Sequence, residues 1–237
     1  MKDMILYHGS RNGIKGKISP ISRERCDFGK GFYMGEYPNQ VKGLVCKEDN
    51  PYFYKLEFKL SEIPENKILV LKDQEWLYAV MACRNLIPEF TELPVAQSII
   101  QKINNADVVI GLIADDQMNK VTGYFYREQI LTDQRFKECL QFVKYGNQIV
   151  AKTDFACSKI KIIKEKELTA EEIVKAKQYG ERKKNEALVY VRDFVKKYRR
   201  DSVGLFADEI IKQEKENPFT TLSNNISKNL EQEERDM

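Results

Sequence analysis

The chain has a single histidine, His8, at the end of the short apolar run Met4-Ile5-Leu6-Tyr7 and followed by Gly9 and Ser10. An imidazole donates and accepts hydrogen bonds, and a glycine beside it lets a ligand come close to the backbone. Taken alone, His8 also reads as a residue that merely ends a strand. A second motif changes that reading: Asp27-Phe28-Gly29-Lys30-Gly31-Phe32-Tyr33. Its two glycines permit a tight turn, and strand alternation sends Phe32 and Tyr33 to opposite faces. One ring can then join a core while the other lines a cleft and stacks on a flat ligand. The spacing is not that of a G-x-x-x-x-G-K-[ST] phosphate cradle. Arg23 and Arg25 precede the turn, and a planar guanidinium suits a pyrophosphate, although exposed loop arginines are equally common.

The surrounding pattern supplies elements that could position these groups. Residues 4–7 and 32–34 read as short buried strands bounded by glycines, with 10–31 as a long loop of the kind that often carries function. Pro38 marks the start of a short helix over 38–47. Tyr52 to Leu60 alternates as a half-buried strand, with Tyr52, Tyr54, Leu56, Phe58 and Leu60 expected inward. Residues 67–71 form a further strand. Residues 73–85 form a helix whose Trp76, Tyr78 and Val80 serve packing. Asp107 to Ala114 is a buried strand, 133–144 a helix, and 147–152 and 159–164 a final pair of strands. The implied fold class is α+β.

Beyond residue 165 the pattern changes. Thr169-Ala170-Glu171-Glu172 is a capping box, so a helix follows. Ala187, Tyr190, Val191, Phe194 and Tyr198 form one apolar stripe. Gly180 is expected to split the element, and a second helix to start at Ser202. The stripe is expected to bury against the chain's own first domain, with another chain as the second choice. Charge shifts too: 161–200 holds 13 basic and 7 acidic residues, and 201–237 holds 4 and 9. The basic groups around Arg182 and Lys196 could meet nucleic-acid phosphates, or simply form a solvated helix face. The expected organisation is a domain over 1–168, a helical appendage over 169–216 and a polar, flexible tail over 217–237.

Composition bounds the function classes. The chain has 237 residues, is 42% hydrophobic and 32% charged, and carries a net charge of +3. That supports a real core and excludes wholesale disorder. No apolar run reaches the roughly 18–20 residues of a membrane helix, so no membrane partner is expected. Five cysteines without a C-x-x-C pair, together with no evident signal peptide, imply a reducing cytoplasm and no metal site.

Leu6-Tyr7-His8-Gly9-Ser10 together with Asp27-Phe28-Gly29-Lys30-Gly31-Phe32-Tyr33 resembles the ADP-ribosyltransferase fold, in its H-Y-E branch. Closer still, the chain resembles the bacterial DUF3990 family of ADP-ribosyltransferase-like proteins over roughly residues 4–168. Ser22-Arg23, Gln40, Trp76-Leu77, Arg84-Asn85, Asp107 to Gly111, Ala114-Asp115-Asp116 and Gly146 to Val150 add weaker support. The resemblance implies a split β-sheet core around a cleft for NAD, which is the substrate. His8 would bond ribose hydroxyls. Gly9 and Ser10 would hold the nicotinamide carboxamide, and Tyr33 would stack on its ring. Arg23, Phe28, Gly29 and Gly31 would complete the NAD-binding set. The resemblance also implies a toxin-like effector with an antitoxin-like protein partner.

The family's third catalytic position holds a glutamate; by order and context it is Gln148 here. An amide can accept a ribose hydroxyl bond but has no charge to stabilise a cationic transition state. Chain elongation is therefore not expected, and a missing acid could come from Asp115, Asp116 or the target. Gln148→Glu is expected to raise turnover. Two readings stay open. One is a mono-ADP-ribosyltransferase whose acceptor is a protein, nucleic acid or small molecule. The other is a degenerate fold that binds NAD, ADP-ribose or a partner without turnover.

Overall fold

The computed structural model describes residues 1–46, 51–114 and 117–221. Its centre is a mixed sheet of seven strands among the described residues. These are β1 (Met4–Ser10), β2 (Phe32–Gly35), β3 (Tyr52–Phe58), β4 (Ile68–Val70), β5 (Val108–Leu112), β6 (Asn147–Ala151) and β7 (Ile160–Glu167). The order across the sheet is β4-β5-β6-β2-β1-β3-β7, and only β4 and β5 run parallel. The joint in the middle is thin. β1 follows β3 along seven register pairs, yet it meets β2 at one pair alone, Tyr7 with Gly35. The sheet is thus two strand sets hinged at a single bridge.

The period-2 alternation of these strands produces two faces with different cover. One face carries Leu6, Phe32, Met34, Tyr54, Leu56, Val108, Ile149 and Ala151, packed with Ile14 and Ile18 from the long loop. The other carries Val109 and Val150 under a helical layer. That layer includes α2 (Asp73–Arg84), α3 (Pro88–Thr91), α4 (Pro94–Asn105), α5 (Met118–Thr122) and α6 (Asp133–Gln141). Trp76, Tyr78 and Val80 are fully buried there. On β3 the expected outward side is not all outward. Phe53 is buried with Val41 of the helix over Pro38–Val45 and with Ala176, because that helix covers this end of the sheet.

The C-terminal segment is part of this packing. After the short α7 (Asp154–Ser158), the capping box of Thr169 and Glu172 opens α8 (Ala170–Lys197), which continues unbroken through Gly180. A glycine inside a helix costs only about 1 kcal/mol, too little to break an element anchored at both ends. Ala176 packs near Val41 and Phe53 at one end. At the other, Val191 and Phe194 join the core that contains Trp76. The Phe142 and Tyr190 rings stack 3.4 Å apart, and Arg135 lies over the ring of Tyr198. The exposed side holds Arg182, Lys184, Lys196 and Lys197 together with Glu181, Glu186 and Asp193.

The helix after this one covers Ala207–Glu216 rather than starting at Ser202. Before it, Asp201 accepts the Val203 N–H, Thr132 donates to the Val203 carbonyl, and Gly204 takes a φ of 95°. These contacts turn the chain and delay the helix. The segment is tied down by Asp133, which is fully buried. Asp133 accepts from Gln74 at 2.7 Å, the Tyr78 hydroxyl at 3.0 Å and the Leu205 N–H at 2.9 Å. Of the polar tail, residues 222–237 lie outside the described residues. No described helix is long and apolar enough to cross a membrane.

Because Phe194 shares the main core, Phe194→Ala should lower stability by about 3 kcal/mol, as large-to-small changes in cores do. Urea unfolding measures this; a loss below about 1 kcal/mol would mean the long helix only rests on the surface.

Candidate functional site

The thin joint between β1 and β2 is where the site lies. Antiparallel strands normally pair along their length, but here the ladder stops after Tyr7 and Gly35. The imidazole of His8 spans the gap. Its Nδ1 lies 2.7 Å from the Tyr33 carbonyl oxygen, which can only accept, so Nδ1 carries the proton and the neutral ring keeps Nε2 as an acceptor. Phe32 stacks on the imidazole at 4.3 Å between centroids. Burial lowers the His8 pKa, and the bond to the Tyr33 carbonyl offsets part of that shift.

A cleft of about 140 Å³ opens at this seam. Its walls include His8 and Gly9 from β1, Tyr33 from β2, and Gln148 from β6. Gln40 and Leu44 close one side from α1 (Pro38–Val45). Helix α1 sits directly on the strand backbone because Gly9 has no side chain; a Cβ there would lie 2.4 Å from Val45 Cγ1. A cavity of roughly 150 Å³ accepts a single aromatic ring. A larger groove of about 590 Å³ lies between α1 and α8 (Ala170–Lys197), lined by Lys42, Lys175 and Arg182. The predicted residues do not gather there.

Tyr33 has two tasks. Its half-buried ring lines the cleft. Its hydroxyl donates to the Gly29 carbonyl at 2.7 Å and accepts the Phe28 N–H at 3.0 Å, which closes the turn. Burial raises the Tyr33 pKa far above its ordinary value, so the phenol stays protonated. Gly29 holds a φ of 70°, a conformation that favours glycine. The Gly31 N–H donates to Ser22 Oγ at 3.2 Å.

Other predicted residues lie away from the cleft. Phe28 is fully buried in the core, so its side chain is a packing group and faces no ligand. Its carbonyl accepts from Lys152 Nζ at 2.5 Å. Ser10 donates its hydroxyl to the Gly13 carbonyl at 3.1 Å and is not among the cleft-lining residues. Arg23 is exposed on the loop. Asp115 and Asp116 lie outside the described residues.

Gln148 meets a group whose position in the turn motif did not mark it as polar machinery. Gln148 Nε2 donates to Asp27 Oδ2 at 2.5 Å and to the Leu112 carbonyl at 3.2 Å. Asp27 is only 4% exposed. Its Oδ1 receives Arg84 Nε and Nη2, each at 2.5 Å. Arg84 ends α2 (Asp73–Arg84), so this charge pair ties the turn, β6 and the helical layer together. Gln40 is the other polar residue on the cleft that spacing alone could not single out; it is buried at 5% exposure.

The His8 environment generates a pH dependence. The folded pKa is depressed, so near pH 6.5 and below the unfolded chain binds a proton that the native state excludes. This contribution to stability is complete above about pH 6.5 and declines as pH falls towards the folded value, at no more than about 1.4 kcal/mol per pH unit. His8→Gln should flatten the change between pH 7.5 and 5.5 in urea unfolding. Parallel curves for the two proteins would show that the imidazole titrates normally in the fold.

No curated protein and no solved structure matches the chain. The model of a family described as a protein of unknown function, DUF3990, matches residues 4–162. That match spans more than half of the 237 residues, and the chain belongs to the DUF3990 family.

Proposed function

We propose that the seam cleft holds the nicotinamide ring of NAD, with the ribose at its mouth, and that the protein transfers a single ADP-ribose to an acceptor. One observation carries this reading: His8, Gly9, Tyr33 and Gln148, from three distant segments, line one ring-sized cleft. The split between β1 and β2 supports an ADP-ribosyltransferase-like fold in the same way.

In this reading the nicotinamide lies against the Tyr33 ring, where stacking and apolar burial hold it. The imidazole, held by the Tyr33 carbonyl and stacked on Phe32, lies on the sheet face opposite the Tyr33 ring, so in this reading its Nε2 meets a ribose hydroxyl through the open seam. The N-glycosidic bond then breaks, its electron pair passes to the pyridinium nitrogen, and nicotinamide departs. The ribose C1′ bonds to the acceptor nucleophile, which loses its proton to solvent. Much of the rate comes from positioning, which is worth several kcal/mol when reactants are aligned. A toxin-like role under an antitoxin-like partner rests on the family resemblance alone.

One observation favours the second reading, binding without turnover. The third position is a neutral amide, and the nearby carboxylate of Asp27 is taken up by Arg84. Neither group then offers a free negative charge to an oxocarbenium-like centre.

Nicotinamide release from NAD, with and without cell extract, separates the two readings, and labelled NAD identifies the acceptor. Tyr33→Ala should weaken NAD binding by roughly 1–3 kcal/mol. Tyr33→Phe should keep most of that affinity while losing about 1 kcal/mol of fold stability through the turn bonds of the hydroxyl. Equal NAD affinity in wild type and Tyr33→Ala, measured by calorimetry, would exclude stacking on this ring.

A further inference from the structure

We infer that Asp27 is a positioning residue: it fixes the amide of Gln148 so that the cleft is offered a hydrogen-bond acceptor, and it is the reason position 148 carries no carboxylate. Gln148 Nε2 has two hydrogens, and both are engaged, by Asp27 Oδ2 at 2.5 Å and the Leu112 carbonyl at 3.2 Å. An ionised carboxylate and a backbone carbonyl only accept. Turning the amide over would set Oε1 against both of them. The nitrogen is therefore held on their side, and Oε1 is the polar atom that Gln148 has left for the cleft it lines.

Asp27 cannot easily turn either. It is 4% exposed, and Arg84 Nε and Nη2 grip its Oδ1 while Oδ2 faces the amide. The ligand group that this arrangement selects is a hydrogen-bond donor; under the NAD reading, on which this part rests, it is a ribose hydroxyl. A second carboxylate at hydrogen-bond distance from Asp27, in a buried place, would have to take up a proton or force the site open. Gln148→Glu is therefore not expected simply to raise turnover. The composition that fits is one carboxylate and one amide; exchanging them restores the bond between 27 and 148 and leaves the Leu112 carbonyl without that donor.

The test is a cycle of Asp27→Asn, Gln148→Glu and the double substitution, followed first by thermal unfolding without ligand. Gln148→Glu should lower the Tm by about 6 °C. The double substitution should recover a large part of that loss, because the asparagine amide can donate to the new carboxylate. Additive shifts would overturn the pairing. Binding is then read with NAD and with its 2′- and 3′-deoxy analogues at the nicotinamide ribose. In wild type one missing hydroxyl should cost about tenfold in affinity. In Asp27→Asn that penalty should shrink, because Arg84 keeps the asparagine oxygen while the asparagine nitrogen, standing in place of Oδ2, draws Oε1 towards itself against the Leu112 carbonyl alone. An Asp27 that only supports the fold would weaken NAD and the analogues alike and leave the ratio unchanged, which would overturn the positioning role. If neither NAD nor its analogues bind wild type, the NAD reading fails, while the unfolding cycle still decides the Asp27–Gln148 pairing.

Discussion

Two antiparallel strands in the middle of a sheet would ordinarily pair along their whole length, and β1 and β2 do not. After Tyr7 meets Gly35 the ladder ends, which leaves backbone groups in need of partners. The imidazole of His8 meets that need in part by bonding the Tyr33 carbonyl. The cleft exists because of this interruption. A complete ladder would close the space between Gly9 and Tyr33, and the single histidine would have no seam to span.

A gap in the centre of a sheet must be held open and held together at once. Helix α1 does the first, seated on the backbone at Gly9 and Gly35, where added Cβ atoms would collide with Val45 and Val41. Helix α8 does the second. Its 28 residues reach about 42 Å. It packs with Val41 and Phe53 near one end and joins the Trp76 core near the other. One rigid rod therefore touches the cover of both strand sets.

Buried carboxylates do the fine positioning. Asp133 collects donors from α2 and from the segment before the helix over Ala207–Glu216, and so fixes where that part docks. Asp27 collects Arg84 and Gln148, and so fixes one wall of the cleft. Both arrangements exploit the same physics: a buried charge is costly unless its lone pairs are met, so the surrounding donors have few alternatives to one geometry.

Local pattern was enough for most of the elements. The glycine-bounded strands at 4–7 and 32–34, the Pro38 start, the alternation from Tyr52, and the capping box at Thr169 are all decided within a few residues, by turn freedom, capping bonds and period. The motif pair around His8 and Tyr33 was legible for the same reason. What lay beyond the sequence depended on partners far along the chain. Gly180 sits inside an unbroken helix because both ends are anchored elsewhere, and Phe53 is buried because α1 happens to cover it. The resemblance placed Phe28 against a ligand, yet the space next to Gly111 and Trp76 claims its ring. Asp27 and Gln148 are 121 residues apart, and neither residue type announces the other. The sequence by itself determined which segments fold and which residue types stand near their ends. Only the tertiary structure decided that the ladder between β1 and β2 breaks, and that a charge from one segment orients an amide from another, because both depend on contacts between parts of the chain that local energetics cannot bring together.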